Sequence, residues 1–364
     1  MASIRSSRTA DDNRAIALWL ILCAAMVAFM VSLGGITRLT ESGLSITEWQ
    51  PVTGVLPPLG QAAWQDEFAK YQEIPQFRVL HAWMTLDDFK TIYFWEWLHR
   101  LWGRLIGVAF AVPLAWFLWR RRVSPALLPR LAGLLVLGGL QGVLGWFMVQ
   151  SGLSERVEVS QYRLVAHLGL AVLIYGAMLK VALGLLWPGG AAGPSVAGLR
   201  RGAAGLLALV FVTLLAGGFV AGLNAGLTYN TFPLMDGRLF PAGYFQLEPW
   251  WRNLFENVTT VQFDHRLLAM TTLAAVLALW LAGRNHGPSP RSRHALDALL
   301  GVALLQVALG IATLLLVVPI PLAALHQAGA LALFTAALVA HHMLAEAPAP
   351  ARAPQLDEGS AALL

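Results

Sequence analysis

Four histidines, each near the start of an even-numbered apolar segment, are the residues best suited to chemistry: His99, His167, His265 and His326. Consecutive membrane spans alternate in direction, so even-numbered spans enter from one side and all four imidazoles should lie near one membrane face. Ionisable side chains within a membrane are costly and usually functional. Imidazole is a common axial ligand of haem iron, and helical bundles carry such ligands on facing helices. The pattern predicts haem ligation; copper or zinc would also accept imidazole, but no cysteine, methionine pair or carboxylate cluster accompanies both pairs.

Glu96 is the next informative residue, because it precedes His99 by three positions and therefore shares its helix face. A carboxylate at the mouth of an apolar pocket suits proton transfer or the stabilisation of positive charge. The alternative is an ordinary helix ion pair with Arg100, four residues on, and both roles can coexist. The second half of the chain has Gln262 three residues before His265. One site therefore looks reactive, and the other looks like an electron-transfer haem.

Arginines accompany the histidines: Arg100 and Arg266 each follow one directly, and Arg104 lies one turn beyond Arg100. Haem propionates would supply anionic partners for them. The alternative is snorkelling toward lipid headgroups, and the sequence favours neither. Asp264 is interpreted as a partner of the neighbouring imidazole or as a helix cap. The remaining histidines share no pattern and are interpreted as structural; they are His81, His286, His294, His341 and His342.

The elements that must position these residues are membrane helices. The chain has 364 residues, of which 57% are hydrophobic and 12% charged, against about a quarter charged in soluble domains. Eight apolar runs approach the roughly 20 residues that a spanning helix needs. They lie at about 15–37, 94–118, 131–150, 163–186, 203–223, 262–282, 295–317 and 321–343. The predicted fold is therefore all-α, a polytopic membrane protein with eight transmembrane helices in the lipid bilayer.

The net charge of +5 does not indicate nucleic-acid binding, because the arginines concentrate in alternate short loops. Their distribution indicates instead how the protein is oriented in the membrane. The positive-inside rule makes those loops cytoplasmic. Both termini are then cytoplasmic, and the four histidines lie toward the opposite, periplasmic face. The single cysteine, Cys23, excludes an intrachain disulfide and is interpreted as a small buried hydrophobic residue.

The chain also looks duplicated. SLGGITRLTESGLSITEW, from Ser32, matches LAGGFVAGLNAGLTYNTF, from Leu215, and LQGVLG, from Leu140, matches LQVALG, from Leu305. We therefore predict two pseudo-repeated four-helix bundles, each with two facing histidines. The first bundle is 15–187 with an outer loop at 38–92, and the second is 203–343 with an outer loop at 224–257. Residues 1–14 are a cytoplasmic N-terminus, 188–202 a cytoplasmic linker, and 344–364 a cytoplasmic tail expected to be disordered.

Several segments resemble the haem A synthase family over about residues 15–343. They are GGITRLTESGLSITEWQPVTGVLPPL (Gly34 to Leu59), EWLHRLWGRLIG (Glu96 to Gly107), NTFPLMDG (Asn230 to Gly237) and FDHRLLA (Phe263 to Ala269). The resemblance implies an enzyme of the cell inner membrane that converts haem O to haem A for haem–copper cytochrome oxidases. In this family a ring methyl group becomes a formyl group through two successive hydroxylations.

The resemblance also implies roles for individual residues. His265 and His326 would be the axial ligands of a haem B cofactor, His99 and His167 those of the substrate haem O, and Glu96 an essential carboxylate. A haem O synthase is the expected partner. The identity of the electron-transfer partner stays open. The oligomeric state also stays open, and a homo-oligomer is one possibility. Some family members carry two cysteines in the first outer loop; this chain has none there and resembles the branch without them.

Two other functions fit the spacing of the histidines. A cytochrome b-type electron-transfer protein with two haems would explain the four histidines, but not the difference between Glu96 and Gln262. A haem transporter or chaperone would fit the duplication, but we see no interrupted helices at matching mid-membrane positions. Product analysis separates the three, since only the synthase changes the haem.

Overall fold

The computed structural model describes residues 2–50, 53–154, 156–188, 194–286 and 288–345. Within these ranges the chain is helical and has no strand. The α-helices are α1 (Ala2–Leu39), α2 (Gln61–Gln72), α3 (Leu86–Trp119), α4 (Leu128–Gln150), α5 (Gln161–Leu186), α6 (Pro194–Gly222), α7 (Asn253–Glu256), α8 (Val258–Asn285), α9 (Pro290–Leu315) and α10 (Ile320–Met343).

Eight of these helices are long and apolar enough to cross a membrane: α1 from Ala10, α3, α4, α5, α6 from Val196, α8, α9 and α10. The prediction of an all-α polytopic membrane protein with eight spanning helices is confirmed. The four singled-out histidines lie on the second, fourth, sixth and eighth of them.

Some helix ends differ from the predicted ones. α3 begins at Leu86 rather than near residue 94, because Thr85 and Asp88 form a capping box that starts the helix inside the predicted outer loop. α1 takes in nearly all of the predicted N-terminal segment. α6 begins at Pro194, so only the first part of the predicted linker precedes it, and proline is well suited to a first helical position. The predicted disorder of the tail concerns residues that lie, from 346 on, outside the described ranges.

The largest buried apolar cluster draws side chains from all eight long helices, among them Leu20 of α1, Val172 of α5 and Val276 of α8. α1 packs against α3, α5 and α10, and α6 packs against α5, α8 and α10. Contacts of α1 with α10 and of α5 with α6 therefore join the two halves of the chain.

The first outer loop has a small core of its own, in which α2 packs on the start of α3. Tyr71 and Phe89 stack within it at 5.3 Å between ring centroids. His81 is buried there between the carboxylate of Glu41, at 2.9 Å, and the hydroxyl of Tyr71, at 2.6 Å. These contacts hold the first outer loop together and fix it to α3.

Candidate functional site

His265 on α8 and His326 on α10 face each other. Their ring centroids lie 6.5 Å apart, and the ring planes are nearly perpendicular at 84°. Both residues are half-buried. In the first half, His99 on α3 and His167 on α5 are also half-buried and lie near each other. The structure therefore brings the histidines together in the pairs 99–167 and 265–326.

Each histidine ring lies against a glycine of a neighbouring helix. A methyl carbon added to the glycine would lie within about 3 Å of the ring carbon Cε1, which is closer than normal contact. These distances are 3.1 Å for Gly34 and His99, 2.9 Å for Gly145 and His167, 3.0 Å for Gly217 and His265, and 2.8 Å for Gly310 and His326. Gly34 matches Gly217, and Gly145 matches Gly310, in the repeats found in the sequence. The two halves therefore position their rings in the same way.

Two glutamines that sequence reasoning did not single out hold two of these histidines. Gln141 Nε2 donates to the backbone carbonyl of His167 at 3.0 Å and lies 3.2 Å from its Nδ1. Gln306 Nε2 donates to the carbonyl of His326 at 2.9 Å and lies 3.2 Å from its Nδ1. The available signal was that glutamine is the one polar residue in both LQGVLG and LQVALG.

Glu96 is buried, with 3% of its surface exposed, and donors surround its carboxylate. One oxygen accepts hydrogen bonds from Ser45 Oγ at 2.8 Å and from the backbone N–H of Ile46 at 2.7 Å. The other accepts from Arg100 Nε at 3.0 Å and Nη2 at 2.6 Å. The ion pair considered from the sequence is thus present, and Glu96 also ties α3 to the first outer loop.

Arg100 and Arg266 bind the outer loops at equivalent places. Arg100 donates to the carbonyls of Ile46, at 2.7 Å, and Glu48, at 2.8 Å. Arg266 donates to the carbonyls of Tyr229 and Thr231, both at 2.7 Å. Ile46 and Tyr229 are separated by the same number of residues as Gly34 and Gly217, and so are Glu48 and Thr231.

The guanidinium of Arg100 uses four of its five N–H groups on described residues, which leaves one N–H without a partner among them. Arg104 donates to the carbonyl of Gln50 at 2.7 Å. That either arginine contacts a propionate stays a prediction.

The second half differs where Glu96 has its counterpart. Gln262 is buried and donates to the Tyr229 carbonyl at 3.1 Å, while its Oε1 makes no hydrogen bond to the described residues. Asp264 was interpreted as a partner of the neighbouring imidazole or as a helix cap. Instead, Asn257 caps α8, and Asp264 accepts a hydrogen bond from the hydroxyl of Tyr244 at 2.7 Å. Burial and this hydrogen bond raise the pKa of Tyr244 to about 12.

Comparison with known proteins agrees with this architecture. The cytochrome oxidase assembly protein family (COX15-CtaA) matches residues 17–338. A heme A synthase of Rhodospirillum centenum is 56% identical over 347 residues, which cover 95% of this chain and 92% of that protein. The heme A synthase of Nitrosospira multiformis is 54% identical, covering 91% and 94%, and that of Parvibaculum lavamentivorans is 53% identical, covering 93% and 97%. The chain therefore belongs to the COX15-CtaA family of cytochrome oxidase assembly proteins.

Proposed function

We propose that this chain is a haem A synthase, which oxidises a methyl group of haem O to a formyl group by two successive hydroxylations. The observation that carries the proposal is that the paired histidines are duplicated, while among the described residues only the first half holds a buried carboxylate, Glu96. Two equal electron-transfer sites would not need this difference. The names of relatives that are more than half identical over most of the chain support the same activity.

His265 and His326 fit a haem B cofactor. The two facing rings, with centroids 6.5 Å apart, would hold the haem iron between them. No three metal-ligating side chains cluster among the described residues, which suits a haem, since its macrocycle supplies the other ligands. Haem B would supply one-electron transfer when bound. The protein's part is to hold both rings in place, His265 against Gly217 and His326 against Gly310.

His99 and His167 would hold the substrate, haem O, in the first half. The Nδ1 atom of His99 is buried and makes no hydrogen bond to the described residues. Gly34 and Gly145 set the ring positions as their counterparts do in the second half.

Glu96 lies on the same face of α3 as His99. Because both of its oxygens already accept hydrogen bonds from three residues, its geometry favours a fixed negative charge over proton transfer. A fixed charge stabilises positive charge that develops nearby without reorganising during the reaction.

Membrane orientation and protein partners complete the proposed function. The arginine-rich loops support cytoplasmic termini in a bacterial inner membrane, with both haem sites toward the periplasm. Haem O is apolar, so a haem O synthase that delivers it within the membrane is the proposed partner. A separate electron-transfer partner must accept or supply the electrons.

The test is the identity of the bound haems. The protein is purified from a host that makes no haem A, with and without a co-expressed haem O synthase, and its haems are extracted and separated by chromatography. Haem B together with haem A or a hydroxylated intermediate is expected only when haem O is made. Haem B alone at two per chain, with haem O available, would point instead to an electron-transfer protein. Unchanged haem O would point to a carrier.

A further inference from the structure

A second polar site lies at the opposite end of the helices from the paired histidines. It is a cavity of about 90 Å³ between the last turns of α5 and α10 and the start of α6. Lys180 of α5 is about 20 Å from His167 along the helix by its rise per residue, so the cavity is separate from the candidate active site. The polar residues that line it are all basic or carry an imidazole: Lys180, Arg200, His341 and His342. Leu183 and Leu338 are apolar lining residues.

The basic side chains of this cavity have no carboxylate partner among the described residues. Lys180, Arg200 and His342 line the cavity together with His341. No carboxylate is among the described residues that line the cavity. Elsewhere at this end of the molecule, Arg122 pairs with Asp12 at 3.4 Å. An anion would relieve the repulsion between like charges in the cavity.

Helix dipoles do not explain this arrangement. A cation is favoured in the last turn of a helix, and the effect fades beyond it. His341 and His342 are in the last turn of α10, but Lys180 lies before the last turn of α5. Arg200 is near the start of α6, where the dipole does not favour a cation. The imidazole of His342 is held by the carbonyl of Trp187 at 3.0 Å, which fixes the rim of the cavity.

The position and lining indicate the ligand. The spanning helices end at this level, so the cavity faces the headgroup region of a bilayer, and Leu183 and Leu338 provide an apolar wall below the charges. Its volume of about 90 Å³ leaves room for a single phosphate group. Basic pockets between membrane helices commonly bind anionic lipid headgroups.

We propose that this cavity binds the phosphate of an anionic phospholipid, with Lys180 and Arg200 as its charged contacts. The ligand is a phosphate group attached to the acyl chains of a lipid. The apolar wall of the cavity favours this phospholipid phosphate over free inorganic phosphate. The site is independent of the haem chemistry.

The test is lipid retention by the full chain. Wild type, the double variant Lys180→Gln/Arg200→Gln and the control Arg201→Gln are purified in detergent, and bound phosphatidylglycerol and phosphatidylcholine are quantified by native mass spectrometry after equal lipid addition. Arg201 is the matched control because it is exposed, adjacent in sequence and outside the cavity lining. Wild type and the control should retain phosphatidylglycerol in preference to phosphatidylcholine. The double variant should retain at least tenfold less phosphatidylglycerol than wild type.

Equal retention by wild type and the double variant, or an equal loss in Arg201→Gln, would overturn the proposal. In a second arm, inorganic phosphate competes with phosphatidylglycerol on the wild type. Displacement at similar concentrations of the two would overturn the lipid assignment, while weak displacement supports it. Thermal unfolding and bound haem show whether each variant is folded. If the double variant is not, Lys180→Gln and Arg200→Gln are measured singly, each with an expected severalfold loss.

Discussion

Replacing Gln306 with leucine should weaken the binding of haem B. In the wild type, Gln306 Nε2 donates to the His326 carbonyl at 2.9 Å and lies 3.2 Å from the ring nitrogen Nδ1. The bond to the carbonyl contributes about 0.5–1.5 kcal/mol. At about 1.4 kcal/mol for each factor of ten, haem affinity should fall roughly 2- to 12-fold. Losses of about 10- to 100-fold are usual when a partner of a metal-ligating histidine is removed.

The assay is a titration of haem-free protein in detergent with haem B, followed by absorbance. Gln327→Leu is the matched control, because Gln327 adjoins His326 and donates to the Val31 carbonyl of α1 at 2.7 Å instead of contacting the ring. Gln141→Leu tests the other half, and should weaken the binding of haem O while leaving that of haem B unchanged. Wild-type affinity in Gln306→Leu, or an equal loss in Gln327→Leu, would refute the idea that the amide positions His326.

The other predictions concern the charged and ligating groups. Glu96→Ala should keep haem B bound but abolish formation of haem A, measured by haem extraction; full conversion would remove Glu96 from the mechanism. His265→Ala should lose the tightly held haem, whereas His99→Ala should chiefly lower turnover, and equal haem loss in both would favour an electron-transfer protein. Hydrogen bonding from Arg252 holds the pKa of Glu256 below its usual value of 4.5, so the stability from this carboxylate is present above that pH and is lost as the pH falls through the lowered pKa. The thermal midpoint of wild type should therefore exceed that of Glu256→Gln at pH 7, with the gap closing as the pH falls below about 4; a constant gap would contradict this.

The helices and the repeat were predictable because both depend on patterns along the chain. Apolar runs of about 20 residues report spanning helices directly. The matching glycines, such as Gly34 and Gly217, indicated duplication, and the contacts of both with histidine rings explain why a side chain would not fit there. Helix ends were predicted less well: the capping box of Thr85 and Asp88 starts α3 within the segment that was assigned to the first outer loop.

The partners of the site residues were not predictable, for a physical reason. Arg100 and Arg266 bind backbone carbonyls of the outer loops. Every residue has a carbonyl, so the sequence carries no mark of which one an arginine will contact. Asp264 bonds to Tyr244, 20 residues earlier, and no local spacing indicates that pair. The sequence therefore indicated which residues are chemically able, and tertiary packing decided what they touch.

The two halves differ in how the arginine beside each histidine pair is neutralised. Glu96 accepts from Nε of Arg100, whereas Nε of Arg266 is buried and makes no hydrogen bond to the described residues, because the equivalent position is Gln262. A guanidinium without a carboxylate partner leaves positive charge beside the proposed cofactor site, and local net charge is one determinant of the reduction potential of a bound iron centre. Gln262→Glu should neutralise Arg266 and lower the potential of the bound haem B, measured by spectroelectrochemical titration, with Gln262→Leu as the control that changes the same side chain without adding charge. An unchanged or raised potential in Gln262→Glu would contradict this account of the difference between the halves.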